Sequence, residues 1–311
     1  MNEIPYDVII IGGGPSGLTA GLYCARSMLK TLLIERMGCG GQTANADFIE
    51  NYPALENGIA GYELAMKLET QAKKFGLEVI IDEVSRVVDG GPAKHVFSGG
   101  ISYLCKSVII ASGADHTRLS VTGEKEFLGK GVSYCATCDG AFYKDKTVVV
   151  IGGGDSAVQE ALFLTRFAKK VIIVHRRDKL RATAILQARA RSNPKIDFKL
   201  NSVVMRIEGG SSVERIVIND ALTGSESTLQ TDGIFIYVGL TPNTGFIKDT
   251  ISLDPYGYIL TDDHMKTSVA GIYACGDVRK KLLRQVVTAT GDGATAAFAA
   301  QEYIDQLQTS V

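Results

Sequence analysis

No block of lysine or arginine runs through this sequence of 311 residues, whose formal net charge is −1. Without a basic face there is no electrostatic footprint for nucleic acid or for an anionic membrane surface. Long apolar runs are missing too. The stretch Asp7-Val8-Ile9-Ile10-Ile11 is too short to span a bilayer and follows acidic residues rather than the basic start of a signal peptide. A cytoplasmic location and no membrane partner are therefore expected. Low-complexity tracts and coiled-coil heptads are also absent. With 45% hydrophobic and 22% charged residues, no tryptophan and 34 glycines, the chain reads as globular and rich in tight turns.

Metal-ligand spacing is equally scarce. The four histidines, His95, His116, His175 and His264, are dispersed, and Cys24, Cys39, Cys105 and Cys275 stand singly. Only Cys135 and Cys138 form a close pair. That spacing is also half of a zinc site, but no second such pair or paired histidines complete one. A reducing compartment with one redox pair fits this cysteine usage.

What is present is a repeat. Tyr6-Asp7-Val8-Ile9-Ile10-Ile11-Gly12-Gly13-Gly14-Pro15-Ser16-Gly17 returns about 140 residues later as Thr147-Val148-Val149-Val150-Ile151-Gly152-Gly153-Gly154-Asp155-Ser156-Ala157. Each copy is a β-branched run ending in glycines and followed by helical apolar spacing, Leu18 to Ser27 and Val158 to Phe167. Each then returns to an apolar strand, Thr31-Leu32-Leu33-Ile34 or Val171-Ile172-Ile173-Val174. These are two βαβ units of dinucleotide-binding type. The expected fold is α/β, with two Rossmann-like domains of the three-layer ββα type. At this length two domains are also the size prior. Polar segments at Gly113 to Gly123 and Gly239 to Gly245 mark the crossings, so residues 117–244 form a domain inserted into a discontinuous one, 1–116 and 245–311. Late in the chain, strand Ile272-Tyr273-Ala274-Cys275 leads to Gly276-Asp277, and alanine-rich Gly293 to Leu307 closes as a helix.

The first glycine loop passes the contextual test for a nucleotide fingerprint, because it follows a strand, opens a helix and has a carboxylate, Glu35, 23 residues beyond Gly12. Gly12 permits the tight turn, Gly14 lets a pyrophosphate approach and Gly17 allows close strand–helix packing, while Glu35 accepts from ribose hydroxyls. In the second copy Gly152, Gly154 and Ala157 take these places, but the residue at the acidic position is His175, followed by Arg176, Arg177 and Arg181. Arginines bind a 2′-phosphate through forked hydrogen bonds, so this loop is expected to prefer NADPH over NADH. An acid-type and an arginine-type site call for different tenants, and FAD is the natural occupant of the first. Cys135-Ala136-Thr137-Cys138-Asp139 precedes the second unit among turn glycines and reads as a redox loop, a spacing that favours a nucleophilic thiolate. Asp139 has a carboxyl group suited to proton transfer, yet Asp before Gly140 is also a common turn pair, and the residues alone leave both readings standing.

In this order, the motifs resemble those of the low-molecular-weight, bacterial-type thioredoxin reductases, from Tyr6 to the C-terminal helix. The likeness rests on Gly12 to Gly17, Gly40-Gly41-Gln42, Glu50-Asn51-Tyr52-Pro53 and Ala111-Ser112-Gly113. It continues through Cys135 to Gly140, Gly152 to Ala157, His175-Arg176-Arg177-Asp178, Gly239 to Pro242, Tyr273 to Asp277 and Arg284-Gln285-Val286. The resemblance implies FAD at Gly12, Gly14, Pro15, Ser16, Gly17, Glu35, Gly41, Gln42, Asn51, Gly113, Asp277, Arg284, Gln285 and Val286. It implies NADPH at Gly152, Gly154, Asp155, Ser156, Ala157, His175, Arg176, Arg177 and Arg181. It further implies that Cys138 exchanges electrons with the flavin, that Cys135 attacks the disulfide of thioredoxin or a thioredoxin-like protein, and that Asp139 is acid and base. Rotating domains and a homodimer belong to the same implication. Gln159 stands where many members have glutamate, and Thr290 where alanine is common; neither removes a catalytic group.

Same-fold rivals serve another disulfide protein or draw electrons from reduced ferredoxin, but the ferredoxin-fed relatives lose the glycines or arginines retained here. Ferredoxin or flavodoxin–NADP reductases lack the Cys135/Cys138 pair. A non-enzymatic flavin sensor has no need to keep phosphate-matched charge and a redox pair together.

Overall fold

The β-branched runs of the two repeats are the centres of two parallel sheets in the structure, a computed structural model that describes residues 6–309 without the side chain of residue 308. The described chain divides into two compact units. One runs to Asp115 and resumes at Thr241; the other is His116–Leu240. The expected crossings lie one residue later at the first boundary and four later at the second. Asn243 donates its N–H to the Gly113 carbonyl at 3.0 Å and its side-chain amide to the Ser112 carbonyl at 3.1 Å, so the chain after Pro242 already belongs to the first unit.

In the first unit the strands order as Glu78–Ile81, Thr31–Glu35, Tyr6–Ile11, Ile101–Ile110, Ala93–Ser98 and Val84–Gly90. The ten-residue strand Ile101–Ile110 has three partners. Its last half pairs parallel with Tyr6–Ile11 on one edge, and the other edge takes Ala93–Ser98 antiparallel and then Ile272–Ala274 parallel. Because successive side chains of a strand point to opposite faces, the run buries two sets of residues. Val8, Ile10, Leu33 and Ile109 face the helices, while Ile9, Ile11, Leu32, Ile34 and Ile110 pack with Val84, Val87 and Val96 of the antiparallel layer. Helix Pro15–Arg26 packs on the closing helix, which runs Val286–Thr309 and so begins seven residues before its expected start at Gly293. A Cβ on Gly293 would stand 2.2 Å from the Ser16 carbonyl oxygen, which shows how closely the two helices approach.

The second unit repeats the plan. Five parallel strands order as Ile196–Lys199, Lys170–Val174, Thr147–Gly152, Gly233–Tyr237 and Val132–Ser133. Val148, Val150, Val171, Ile173 and Phe235 face helix Asp155–Leu164, and Val149, Ile151, Ile172, Val174 and Ile234 face the antiparallel layer Ser202–Gly209, Val213–Asp220 and Glu226–Gln230. Each unit is therefore three-layered, with parallel strands buried on both faces. No described helix is long and apolar enough to cross a membrane.

The glycine loops are where strand and helix meet. Gly12 has φ +106°, and a Cβ at Gly17 would fall 1.9 Å from its carbonyl oxygen. At Gly14 a Cβ meets nothing within 4 Å. Gly17→Ala is thus expected to cost about 1–3 kcal/mol by overpacking, and Gly14→Ala no more than about 0.5 kcal/mol. Urea unfolding of the two apoproteins, compared with the parent, checks both.

Candidate functional site

Within the first unit the loop backbone is held by side chains from the neighbouring strands. Gly13 N–H donates to Glu35 Oε2 at 2.6 Å and Met37 N–H to Glu35 Oε1 at 3.2 Å, so Glu35 sits at the strand tip with its carboxylate turned to the loop. Gly40 N–H reaches the Gly13 carbonyl at 2.7 Å, laying the Gly40-Gly41 segment beside Gly14. Gln42 donates weakly to the Ala114 carbonyl at 3.5 Å and to Asp115 at 3.4 Å. Ser16 lies under Gly276, where a Cβ would come 2.4 Å from its Oγ. This brings the Gly276-Asp277 turn to the first glycine helix. Asn51 Nδ2 donates to Gln285 Oε1 at 2.9 Å, immediately before the Val286–Thr309 helix, and the Arg284 guanidinium lies 4.1 Å from the Tyr258 ring centre.

Asp277 supplies the test of whether a flavin nucleotide suits this strip. Its Oδ1 is buried and has no hydrogen-bond partner. Burial raises its carboxyl pKa against the opposing pull of Lys281 and Arg284. A buried acceptor without a donor is costly unless something donates to it. A ribityl hydroxyl is such a donor, and the open approach to Gly14 leaves room for a pyrophosphate. The residues present fit FAD.

In the second unit, the chain after His175 folds back over the glycine loop, with Arg181 and Ala182 N–H donating to the Gly153 carbonyl at 2.6 and 3.0 Å. Asp155 accepts from Thr183 N–H at 2.6 Å and so ties the helix start to that return. Gly154 is open within 4 Å. Arg176, Arg177 and Arg181 are exposed and have no carboxylate partner among the described residues. His175 departs from the expected cationic cluster. Its ring is buried against Gly153, where a Cβ would stand 2.5 Å away, and its Nε2 lacks a partner. Burial and then the charge of Arg181 push its pKa down, which weakens its part in the positive charge here. Three unpaired guanidinium groups beside open loop amides fit a nucleotide with an extra phosphate.

The redox segment is a short helix rather than an irregular loop. Cys135 is extended and caps helix Ala136–Asp139, which continues into a 3₁₀ turn, Gly140–Tyr143. Cys135 and Cys138 are joined by a disulfide, with Cα atoms 5.3 Å apart. Cys138 is exposed and Cys135 half-buried, and Cys138 N–H points at Cys135 Sγ over 3.1 Å. Asp139 follows directly, half-buried, its N–H on the Cys135 carbonyl at 3.2 Å. Tyr237 is a contact the sequence reading missed. Its phenolic oxygen accepts the Ala136 N–H at 2.9 Å from 101 residues away, on a strand that reads as core. No group of three metal-ligating side chains occurs among the described residues.

The other cysteines are separate from this pair. Cys24, Cys105 and Cys275 are buried, and burial pushes each thiol up to about 12. Cys39 rests against Gly13 and is pushed up to about 12 by burial and by the charges of Glu69 and Glu35. After reduction at pH 7, a thiol titration should show two fast thiols that vanish in Cys135→Ser/Cys138→Ser. The remaining four should react roughly 10³-fold more slowly than an ordinary exposed thiol, from their thiolate fraction alone.

The family model for pyridine nucleotide-disulphide oxidoreductases matches residues 6–293. The chain is 52% identical to a thioredoxin reductase of Bacillus subtilis over 98% of its own length and 97% of the relative's. It is 50% identical to one of Listeria monocytogenes over 98% and 96%. Among solved structures, the Lactococcus lactis thioredoxin reductase in its FR conformation superposes with a TM-score of 0.95 at 48% identity, covering 97% of this chain and 99% of the other.

Proposed function

Since the chain belongs to the pyridine nucleotide-disulphide oxidoreductases, we infer that its first unit holds FAD and its second holds NADPH and the redox pair. The protein is an NADPH-dependent flavoprotein thioredoxin reductase. The observation that carries the reading is the Cys135–Cys138 disulfide in the same unit as a glycine loop flanked by unpaired arginines. Gly12, Gly14, Pro15, Ser16, Gly17, Glu35, Gly41, Gln42, Asn51, Gly113, Asp277, Arg284, Gln285 and Val286 make up the flavin site. Gly152, Gly154, Asp155, Ser156, Ala157, His175, Arg176, Arg177 and Arg181 make up the nucleotide site, with His175 shaping the loop and the arginines supplying charge.

When bound, NADPH and FAD supply two electrons as hydride chemistry. The chain's own thiols do the rest. Reduction breaks the Sγ–Sγ bond and, with two protons, leaves Cys135 and Cys138 as thiols. The Cys135 thiolate then attacks the thioredoxin disulfide, forming a mixed disulfide and releasing the partner's other sulfur as a thiolate. Cys138 attacks Cys135 Sγ, which re-forms the intramolecular disulfide and frees the reduced partner. Asp139, next to Cys138, gives and takes the proton these thiolate steps require. A reducing, cytoplasmic setting is supported by one redox pair beside four single free cysteines. A homodimer is part of the same proposal and rests on the family.

Mixed anaerobically with the holoprotein, NADPH should bleach the flavin absorbance, and oxidised thioredoxin should restore it. Cys138→Ser should still bleach but pass nothing to thioredoxin. Arg176→Ala/Arg177→Ala should raise KM for NADPH at least about tenfold and leave KM for NADH nearly unchanged, as expected for lost charge-assisted phosphate bonds. A flavin untouched by NADPH but bleached by reduced ferredoxin would overturn the donor assignment.

A further inference from the structure

Lys281 and Arg284 both act on the Asp277 carboxylate electrostatically, yet neither bonds to it: Arg284 is turned to the Asp277 and Arg279 carbonyls, each at 3.4 Å, and Lys281 joins Arg279 on another carboxylate. Arg279 Nη1 lies 3.0 Å from Asp292 Oδ1, and Lys281 Nζ lies 2.7 Å from Asp292 Oδ2. Gly276 N–H donates to the same Oδ2 at 3.1 Å, and Arg279 Nε is occupied by Thr261 Oγ1 at 2.9 Å. The three charged side chains are only 8–12% exposed, so this is a packed network and not a surface pair. Asp292 belongs to the Val286–Thr309 helix and directly precedes Gly293, whose close approach to Ser16 anchors that turn of the helix. Its carboxylate is thereby fixed behind the Gly276-Asp277 turn.

The arrangement decides where Lys281 goes. Lys281 is close enough to act on Asp277 electrostatically, yet its ammonium is bonded to Asp292, and Asp277 Oδ1 is left buried without a donor. Were Lys281 to bond to Asp277, a charge-assisted pair would occupy the acceptor that a ligand hydroxyl needs, and a neutral hydroxyl donates the weaker bond.

We propose that Asp292 is a positioning residue for the flavin site: it holds Lys281 away from Asp277 and fixes the Gly276 amide, keeping Asp277 Oδ1 an unpaired acceptor for a ribityl hydroxyl. This rests on FAD being the tenant of the first unit. Asp292 itself touches no part of the cofactor in this assignment; it works through Asp277. Removing its charge frees a buried cation beside the one carboxylate in reach, so the defect should depend on Lys281 being present. A residue that merely supports the helix would not show that dependence.

The test is FAD titration of apoproteins, read by flavin fluorescence. Asp292→Asn should raise the Kd for FAD at least about tenfold, while Lys281→Met alone should change it less than about threefold. The double variant Asp292→Asn/Lys281→Met should recover to within about threefold of the parent, because the competing cation is gone. Unchanged affinity in Asp292→Asn, or a double variant as weak as the single one, would overturn the proposal. Should Asp292→Asn fail to fold, the same comparison is made with Asp292→Ser and Asp292→Ser/Lys281→Met, and equal affinities in that pair would overturn the proposal. If the parent apoprotein takes up no FAD, the cofactor reading itself fails, and the Asp292 proposal with it.

Discussion

Burial of a parallel strand on both faces is the constraint from which the rest of this protein follows. Such a strand has no wet side, so its polar backbone can meet a ligand only at its ends, and the glycine loops occupy those ends in both units. Val8 and Ile10 on one face and Ile9 and Ile11 on the other leave Gly12 as the first residue at which the chain can turn. Glu35 and His175 stand at matching places one strand over. One holds a loop amide with its carboxylate, and the other packs its ring against the loop. The same scaffold therefore presents two different surfaces at its two glycine loops.

This logic explains what was legible in the sequence. The repeated β-branched runs with their glycines identify both parallel sheets, because a strand buried on both faces must be apolar at every position. The antiparallel layers were harder to see. Strand Ser202–Gly209 mixes buried and exposed residues and breaks register between Val204 and Arg206, which disrupts its alternation. The helix at the cysteine pair spans four residues, too few to show a period. Gly291 and Gly293 hide the early start of the closing helix, although Gly293 is there for close packing against Ser16.

Site residues divide along similar lines. The local geometry of a contiguous motif follows from its spacing, whereas contacts made across the fold do not show in the sequence. Tyr237 reads as core and its contact with Ala136 depends on strand order alone. Asp292 lies in an alanine-rich stretch where a single acid looks like a solvated helix face, and only the packing of that helix makes it a counter-ion for Arg279 and Lys281. The burial of the His175 ring against Gly153, which lowers its pKa, is likewise a contact across the fold that the sequence does not show.

The three-partner strand Ile101–Ile110 bears on the order in which the chain matures on the ribosome. Its final edge is completed only by Ile272–Ala274, so the first unit, although its first strand precedes the second unit, cannot close its sheet until the chain has been made through Ala274. All five strands of the parallel sheet in the second unit lie between Val132 and Tyr237. Domains fold as units during synthesis, so the inserted unit, with the cysteine pair inside it, finishes folding while the unit that surrounds it in sequence is still waiting for its last strand.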